Sequence, residues 1–495
     1  MFLRAASCLL GAATAQQVGK MYENHPPMAI AYCTMEKGCV MQPSSLTLDA
    51  NMRWLHKAND VTTCYDPMQE QWNATLCKEP TACAEHCAID GVNLDAYTNT
   101  YGVALAPRGV KLNYVKTSQP RVYMLENEDK YRLFKLKNRE FAFDVDVSNL
   151  PSGLNGAVYF VEMEAHGGRS AANKAGAAYG LGYCDAQCPR NIKFLDGAAN
   201  LKEWDPKSAT GLFGHCCAEV DIWEANRAAT ALTLHPCNLG GPQSCQGDKC
   251  GVRQGMCDKQ GCLFNADLMG NPGFFGPGPK YTVDTTKPLT VVTQWFTTDG
   301  TDKGDLSDVR RIYMQDGKVI YNSNATTFGV AARDNKLTDK LCQATKNGSF
   351  DSFTNHGGMK SLGQSMDRGM VLAMSLWFDP SRGSGWLVPS DAPKPDPSTF
   401  PGSSVVMSNF MYGEIGAAMK YRLTATGPKL SGKSADEGPL HELSAKRLHT
   451  ILSSTTYIAV ASVALGAIFF ATRKLRLHRL PDYGMLLSKE APQSS

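Results

Sequence analysis

The segment from Glu219 to Asn226, Glu-Val-Asp-Ile-Trp-Glu-Ala-Asn, places three carboxylates close together in an apolar, strand-like stretch. Successive side chains of a strand point to opposite faces, so Glu219 and Asp221 project from the same face. Glu224 has the other parity and joins that face only if a β-bulge near Trp223 inserts one extra residue. Crowded carboxylates repel each other, which raises the pKa of at least one of them. Two close carboxyl groups in different protonation states are what hydrolysis of a glycosidic bond requires.

A strand with a solvated acidic face is the alternative interpretation of the same residues. In that case the carboxylates face water, and Val220 and Ile222 face the core. The setting favours the catalytic interpretation, because Cys216 and Cys217 precede the motif and His235-Pro236-Cys237 follows it. The run from Cys216 to Cys237 resembles the catalytic strand of glycoside hydrolase family 7, the cellobiohydrolases and endoglucanases that cut β-1,4-glucan.

This resemblance extends in collinear order over roughly residues 24 to 425. The other matching motifs are Asp49-Ala50-Asn51, Tyr101-Gly102-Val103, Leu154-Asn155-Gly156-Ala157, Gly182-Tyr183-Cys184-Asp185, Cys188-Pro189-Arg190, Asp284-Thr285-Thr286-Lys287 and Met374-Ser375-Leu376-Trp377. The resemblance implies hydrolysis of β-1,4-glucosidic bonds with retention, in cellulose or related glucans, releasing mainly cellobiose or short oligosaccharides. A non-catalytic, membrane-tethered cellulose-binding protein on the same fold is the alternative, since a fold alone guarantees no activity.

The resemblance also assigns roles to the catalytic residues. Glu219 is the implied nucleophile, Glu224 the general acid and then base, and Asp221 the neighbour that hydrogen-bonds and tunes Glu219. His235 matches the family's histidine beside the acid, with an ordinary histidine at a strand end as the alternative. Retaining hydrolysis needs carboxyl groups about 5 Å apart, whereas five extended residues span about 16 Å, so the bulge is obligatory. No metal or cofactor is required.

Substrate-binding positions are implied by the same resemblance. Glucose rings stack on aromatic faces, and Trp54, Trp377 and Trp386 fall at the family's platform positions, although each could be an ordinary core aromatic. The loop between Cys250 and Cys257 is short, which leaves Arg253 as its one plausible arginine. Positions that match residues binding sugar hydroxyls are Asn155, Tyr159, Tyr183, Asp185, Gln187 and Lys193.

The hydrophobic pattern predicts an all-β protein. Residues 140–148 alternate strictly between apolar and polar positions, residues 309–320 read as a hairpin around Asp316-Gly317, and Leu289–Thr297 and Gly369–Trp377 read as buried strands. Long helical periodicity is absent from the central region. The predicted fold is a curved β-sandwich, or jelly roll, with long loops that form a glucan-binding cleft or partial tunnel.

Cysteine usage indicates an oxidising compartment. The chain has 17 cysteines, and removal of Cys8 with a secretory signal leaves an even number. The family pattern implies the pairs Cys33–Cys39, Cys64–Cys87, Cys77–Cys83, Cys184–Cys217, Cys188–Cys216, Cys237–Cys257, Cys245–Cys250 and Cys262–Cys342. A zinc site that uses Cys184 and Cys188 is the alternative for closely spaced cysteines.

Residues 1–15 read as a signal peptide, with a positive Arg4, an apolar stretch and a small-residue cleavage site at Ala13-Thr14-Ala15. The catalytic domain is then residues 16–425. Three Asn-x-Ser/Thr triplets, at Asn73, Asn324 and Asn347, are possible N-glycosylation sites. The formal net charge of +3, with dispersed basic residues, gives no indication of a nucleic-acid partner.

The C-terminal region predicts a membrane anchor. A polar linker, 426–454, precedes an apolar segment, 455–472, that is close to the minimum length for a bilayer span. The basic residues that follow at once predict a cytoplasmic tail, 473–495. A buried helix or a removed lipid-anchor signal fits the pattern less well. The expected protein is therefore a single-pass membrane protein of the secretory pathway, with a lumenal or extracellular catalytic domain.

The tail contains a candidate sorting signal. Residues 482–487, Asp-Tyr-Gly-Met-Leu-Leu, resemble the tyrosine-based and acidic dileucine signals that clathrin adaptors bind. Such short patterns also arise by chance, so an unstructured tail is the alternative. The cell surface, an endosome or a digestive vacuole is the predicted location.

Overall fold

The computed structural model describes residues 16–425 except 117, 328–333, 347–348, 379–384 and 390–393. The predicted signal peptide, linker, membrane segment and tail lie outside the described residues. Within those residues, no helix is both long enough and apolar enough to cross a bilayer.

The described residues form 29 strands and six α-helices. The strands are β1 (Gln17–Val18), β2 (Pro27–Thr34), β3 (Gly38–Leu48), β4 (Leu55–Lys57), β5 (Tyr65–Asp66), β6 (Gln71–Trp72), β7 (Cys87–Ile89), β8 (Val103–Ala106), β9 (Gly109–Asn113), β10 (Arg121–Asn127), β11 (Lys130–Tyr131), β12 (Leu133–Phe134), β13 (Arg139–Asp146), β14 (Asn155–Val161), β15 (Phe194–Leu195), β16 (Ala198–Ala199), β17 (Phe213–Cys216), β18 (Glu219–Ala225), β19 (Thr230–His235), β20 (Gln243–Gln246), β21 (Cys262–Asn265), β22 (Phe275–Gly276), β23 (Val283–Asp284), β24 (Leu289–Thr297), β25 (Leu306–Gln315), β26 (Lys318–Tyr321), β27 (Lys336–Leu337), β28 (Met370–Trp377) and β29 (Ser404–Gly413). The helices are α1 (Pro80–His86), α2 (Leu94–Asn99), α3 (Asp339–Thr345), α4 (Ser352–Asn355), α5 (Gly358–Arg368) and α6 (Ala417–Ala425).

Two arrays of strands form the body of the fold. The first runs in the order β21-β19-β18-β14-β28-β10-β3-β2, and the second in the order β26-β25-β24-β13-β29-β9-β8. They are joined where β2 pairs in parallel with β29. The main hydrophobic core contains side chains from both arrays, such as Val158, Val220, Phe143 and Trp295. This sandwich confirms the predicted all-β, jelly-roll class.

Several predicted strands are confirmed. Strand β24 spans Leu289–Thr297 as expected, and β28 begins one residue later than predicted, at Met370. The hairpin of β25 and β26 turns at Asp316 and Gly317, which both have positive φ, as a type I′ turn requires. The 11-residue helix α5 was not predicted.

The face of β13 that carries Glu140 and Ala142 is not open to solvent, as a simple alternating pattern would suggest, because α6 covers it. Ala142 packs with Ala417 and Ala418 in a small second core. Glu140 on the same face is fully buried and accepts hydrogen bonds from the backbone nitrogens of Gly416 and Ala418, both at 2.7 Å. The Glu140 carboxylate therefore holds the N-terminus of α6, where free backbone N–H groups and the helix dipole favour a negative charge.

All eight disulfides implied by the family resemblance are present. Two of them, Cys188–Cys216 and Cys184–Cys217, start from adjacent residues just before β18. Cys216 packs in the core between the arrays, whereas Cys217 packs in a separate cluster on the other face of β14 and β28. The zinc alternative for Cys184 and Cys188 is wrong, because each cysteine is in a disulfide.

The Glu140 contact predicts a measurable stability change. Glu140→Ala leaves the first N–H groups of α6 and the amide of Gln294, which donates to Glu140 over 2.8 Å, without their buried acceptor. We expect the free energy of unfolding to fall by about 3 kcal/mol, measured by denaturant unfolding. Glu126→Ala is the matched control, since its side chain is 44% exposed and pairs with Lys130 at the surface, and it should change stability by less than about 0.5 kcal/mol. Equal effects of the two substitutions would contradict this role of Glu140.

Candidate active site

A β-bulge lies in the middle of β18. In the pairing with β19, Asp221 lies opposite Thr233 and Glu224 opposite Ala231, so three steps along β18 match two along β19. The pairing with β14 on the other side shows the same irregularity over the same stretch. The extra residue is therefore in β18 itself, as the sequence predicted.

The bulge sends two consecutive side chains into the core. Ile222 and Trp223 are both fully buried there, where strict alternation would have turned one of them outwards. The parity of Glu224 is reversed by this step, and its carboxylate joins the face of Glu219 and Asp221. This face is the one opposite the main core.

Glu219, Asp221 and His235 are in close mutual contact, with one candidate ligand atom of each within 4.8 Å of the others. Glu219 and Asp221 share a hydrogen bond, and Oε2 of Glu219 accepts from the backbone nitrogen of Ala186 at 3.1 Å. Such proximity would also accommodate a metal ion, although the Ala186 N–H already provides a partner for one Glu219 oxygen.

A hydrogen bond shows which ring nitrogen of His235 carries a hydrogen. Its Nδ1 lies 2.7 Å from the carbonyl oxygen of Asp258, and because a carbonyl only accepts, Nδ1 carries a hydrogen. Its Nε2 lies 3.1 Å from Oδ2 of Asp221. One proton must lie between these two atoms for the contact to be favourable, either on the imidazole or on the carboxyl group.

Glu224 has a different set of partners. Oε1 accepts from the side-chain amide of Asn155 at 2.8 Å, and Oε2 accepts from the hydroxyl of Thr233 at 3.4 Å. The indole N–H of Trp386 also donates to this carboxyl group. Glu224 is thus surrounded by neutral donors, whereas Glu219 is next to another carboxyl group.

Burial raises the pKa of every carboxyl group in the cluster. For Glu219 the nearby Asp221 and Asp185 add to the effect of burial, and for Asp221 the additional contributions come from Glu224 and Asp185. Burial also raises the pKa of Glu224, but His235 and the three donors oppose that rise. Because these carboxyl groups repel each other at short range, the cluster retains protons at a pH where isolated carboxylates are fully ionised.

Two phenol hydroxyls form a hydrogen-bonded chain that ends at Asp185. The hydroxyls of Tyr159 and Tyr183 are 3.2 Å apart, and Tyr183 donates to Oδ2 of Asp185 at 2.5 Å. The guanidinium of Arg121 stands 3.4 Å from the ring centre of Tyr183 and donates to Asp49 at 2.6 Å. Burial raises the pKa of Asp185 despite the Tyr183 and Arg121 contacts.

The three tryptophans that were predicted to bind sugar lie at two places in the structure. Trp377 and Trp386 are partly exposed neighbours with ring centres 5.8 Å apart, and Trp377 pairs across the sheet with Asn155. Trp54 is also partly exposed and stacks on His56 with ring centres 4.2 Å apart. None of the three belongs to the buried core, so the alternative of an ordinary core aromatic is not supported.

Lys193 lines a cavity together with Tyr183, Asp49 and Asn51. Its ammonium group donates to the carbonyl of Asn51 at 2.6 Å and lies 4.2 Å from the ring centre of Tyr65. Desolvation of the ammonium group lowers the pKa of Lys193 to about 8.

Two predicted residues are less closely tied to the cluster. Gln187 is exposed, although its backbone nitrogen donates to Asp185 at 2.8 Å and its side chain donates to the carbonyl of Lys259 at 2.9 Å. Arg253 is exposed, and no contact within the described residues joins it to the carboxylates. The structure therefore brings together the four catalytic candidates, Asn155, Tyr159, Tyr183, Asp185 and Trp386, with Trp377 next to them.

Comparison with known proteins decides the family. Residues 18–416 match the family model described as glycosyl hydrolase family 7. The chain belongs to glycosyl hydrolase family 7. A family 7 cellobiohydrolase from Daphnia pulex is 40% identical, with a TM-score of 0.76, and the match covers 81% of this chain and 99% of that one.

Two further solved structures resemble this family 7 hydrolase over the same extent, 81% of this chain and 99% of theirs. Endoglucanase I, solved in complex with cellobiose, is 37% identical, with a TM-score of 0.72. A cellobiohydrolase from Melanocarpus albomyces, complexed with cellotetraose, is 34% identical, also with a TM-score of 0.72. Both exo-acting and endo-acting names therefore occur among its relatives.

Sequence reasoning missed several residues of the family 7 site. Thr233 lies two positions before His235 on β19, so strand parity would have placed both on the catalytic face. Arg121 gave no local signal, because its partners Asp49 and Tyr183 are about 60 or more positions away. The carbonyl of Asp258 is a backbone group and has no sequence signature.

The Asn155 contact predicts a pH effect in the family 7 hydrolase. A donor to a carboxylate favours its ionised form, so Asn155→Ala should raise the pKa of Glu224 further. The alkaline limb of the kcat/KM profile, which the family resemblance assigns to Glu224 as general acid, should move to higher pH. Thr233→Val removes a longer hydrogen bond and should move it less. An alkaline limb that stays in place, or moves to lower pH, would contradict the assignment.

Proposed function

We propose that this family 7 hydrolase cleaves β-1,4-glucosidic bonds of cellulose or related glucans with retention, and releases mainly cellobiose or short oligosaccharides. The observation that carries the proposal is the bulge of β18, which puts Glu219 and Glu224 on one face with different partners. The bound cellobiose and cellotetraose named for two relatives support the substrate class.

The first chemical step uses both glutamates. An oxygen of Glu219 attacks the anomeric carbon as the bond to the leaving oxygen breaks, and the proton of Glu224 passes to that leaving oxygen. The product is a glycosyl ester on Glu219. In the second step Glu224 takes a proton from water, the water oxygen bonds to the anomeric carbon, and the Glu219 carboxylate is released.

Asp221 explains how Glu219 is ionised in a cluster whose pKa values are all raised. In this proposal the retained proton is on Asp221 and is donated to Glu219, whose Oε2 also accepts from the backbone nitrogen of Ala186. Glu224 keeps a second proton for the leaving group. His235 lies 3.1 Å from Oδ2 of Asp221 and in this proposal helps to orient that carboxyl group toward Glu219.

The aromatic and polar side chains beside the cluster bind the glucan in this proposal. Trp377 and Trp386 supply adjacent rings next to Glu224, and Trp54 supplies a separate platform. Tyr159, Tyr183, Asp185 and Gln187 offer hydroxyl, carboxylate and amide groups to sugar hydroxyls. Arg253, on its exposed loop, would contact the glucan only at the margin of the cleft.

We further propose that the enzyme is anchored in a membrane. The apolar segment 455–472 and the basic residues after it support a single span, and the signal-like residues 1–15 support entry into the secretory pathway. The eight disulfides agree with an oxidising lumen or exterior. A tail that binds a clathrin adaptor would place the enzyme at the surface, in endosomes or in a digestive vacuole.

Substitution of either glutamate tests the chemistry. Glu219→Gln and Glu224→Gln should each lower turnover of cello-oligosaccharides by at least about 100-fold, because each removes a group that reacts. Binding of cello-oligosaccharide, measured by calorimetry, should persist. Glu164→Gln alters an exposed carboxylate outside the cluster and should leave turnover unchanged.

The azide reaction distinguishes the two roles. With azide added, the Glu219→Ala variant should convert a β-cellobioside into a glycosyl azide of inverted configuration, since azide occupies the vacated nucleophile position. Turnover like the wild type in either Gln variant would disprove the assignment. A wild-type protein that binds glucan without hydrolysing it would support the non-catalytic alternative.

Cell fractionation tests the anchor and the sorting signal separately. Full-length protein should stay in carbonate-washed membranes and be released by detergent, and deletion of 455–472 should make it soluble and secreted. Substitution of Tyr483, Leu486 and Leu487 by Ala should increase the fraction at the cell surface. Recovery of the full-length protein in soluble form would reject the anchor, and an unchanged distribution would reject the sorting signal.

A further inference from the structure

Arg311 is a buried charge in the main core. It lies on β25 and is 2% exposed, and no ion pair joins it to a carboxylate in the part of the chain that the structure describes. The rings of Trp223 and Tyr313 surround its guanidinium, each with the ring centre 5.7 Å away. Desolvation lowers the pKa of Arg311. Since burial of an unpaired charge costs several kcal/mol, a compensating role for this side chain is expected.

Arg311 donates a hydrogen bond to the side chain of Tyr313 on its own strand, and its other polar partner is the bulge of β18. Its Nη2 donates to the carbonyl oxygen of Ile222, which lies between Asp221 and Glu224 where the pairings with both neighbouring strands shift register. A bulge disrupts the regular ladder, and a buried carbonyl still needs a donor. Arg311 crosses the sandwich from the opposite array to supply that donor, and its guanidinium also lies against the ring of Trp223, the next bulge residue.

We propose that Arg311 is a positioning residue for catalysis, which holds the bulge at Ile222 and Trp223 and thereby directs the carboxyl group of Glu224. The inference rests on the proposed function, because it concerns the general acid of that reaction. Arg311 touches neither substrate nor reacting atoms and acts through the backbone of β18.

The position of the bulge makes the effect selective. Both side chains have hydrogen-bond partners, but Glu219 precedes the bulge, whereas Glu224 follows it directly. Loss of the Arg311 contact should therefore displace the proton donor more than the nucleophile. A shift of about 1 Å in a reacting group costs on the order of 100-fold in rate.

Two substrates separate these effects in the full-length protein. Cellotetraose needs a proton on its leaving oxygen, whereas dinitrophenyl β-cellobioside has a leaving group that departs without one. For Arg311→Met, we expect kcat/KM to fall by about 100-fold on cellotetraose and by less than about 3-fold on the dinitrophenyl substrate. Glu224→Gln should show the same split, with a larger loss on cellotetraose.

Arg310→Met is the matched control. Arg310 is the adjacent residue on the other face of β25, where it is partly exposed, lies 3.8 Å from the ring centre of Phe296 and pairs with Asp308 at 2.5 Å. This variant should keep wild-type kcat/KM on both substrates. If Arg311→Met does not fold, as judged by thermal unfolding, Arg311→Lys retains a donor and should show the same split with a smaller loss.

The outcomes separate the two proposals. Equal losses on both substrates for the Arg311 variants, or no loss on either, would overturn the positioning role. Turnover by the wild-type protein would still support the proposed function in that case. A wild-type protein inactive on both substrates would overturn the proposed function and this inference with it.

Discussion

One extra residue in β18 is the constraint on which the site depends. Without it, Glu224 would point into the sandwich core, where an uncompensated carboxyl group costs several kcal/mol, and the acidic face would have two members only. With it, Ile222 and Trp223 both enter the core. The core must therefore accommodate the indole ring of Trp223 in addition to the side chains that regular alternation would place there. The packing around Trp223 and the catalytic geometry are thus two consequences of the same backbone irregularity.

The carboxyl groups on the acidic face are chemically similar, but their neighbours differ. Glu219, Asp221 and His235 are in mutual contact, so the protonation states of the three groups depend on one another. Glu224 accepts hydrogen bonds from amide, hydroxyl and indole donors, which favour its ionised form but do not take up its proton. Burial keeps protons in the cluster, and the arrangement of neighbours decides which carboxyl group gives up its proton first.

Local pattern in the sequence was sufficient for some of this architecture. Strand parity predicted the bulge only together with the catalytic pair that the family resemblance implied, since Glu219 and Glu224 cannot otherwise share a face, and the Asp316-Gly317 turn predicted a hairpin. The disulfide pairs came from family resemblance, because the number of cysteines leaves the connectivity open. Burial of Glu140 beneath α6 and the reach of Arg311 to Ile222 were not predictable, because each depends on how distant segments pack. Alternation along one strand says which residues share a face, but not what covers that face.

The adjacent cysteines before β18 have a mechanical consequence. Cys216 ends β17 and Cys217 follows it, so their disulfides hold the chain that leads into β18, one in the main core and the other in the separate cluster on the opposite face of β14 and β28. Two covalent bonds just before β18 oppose rotation of that strand and sliding along its neighbours. A slip of a single position would exchange the two faces and carry the acids into the core. Reduction of these two bonds would therefore weaken the register of β18, the strand that carries the three clustered carboxyl groups.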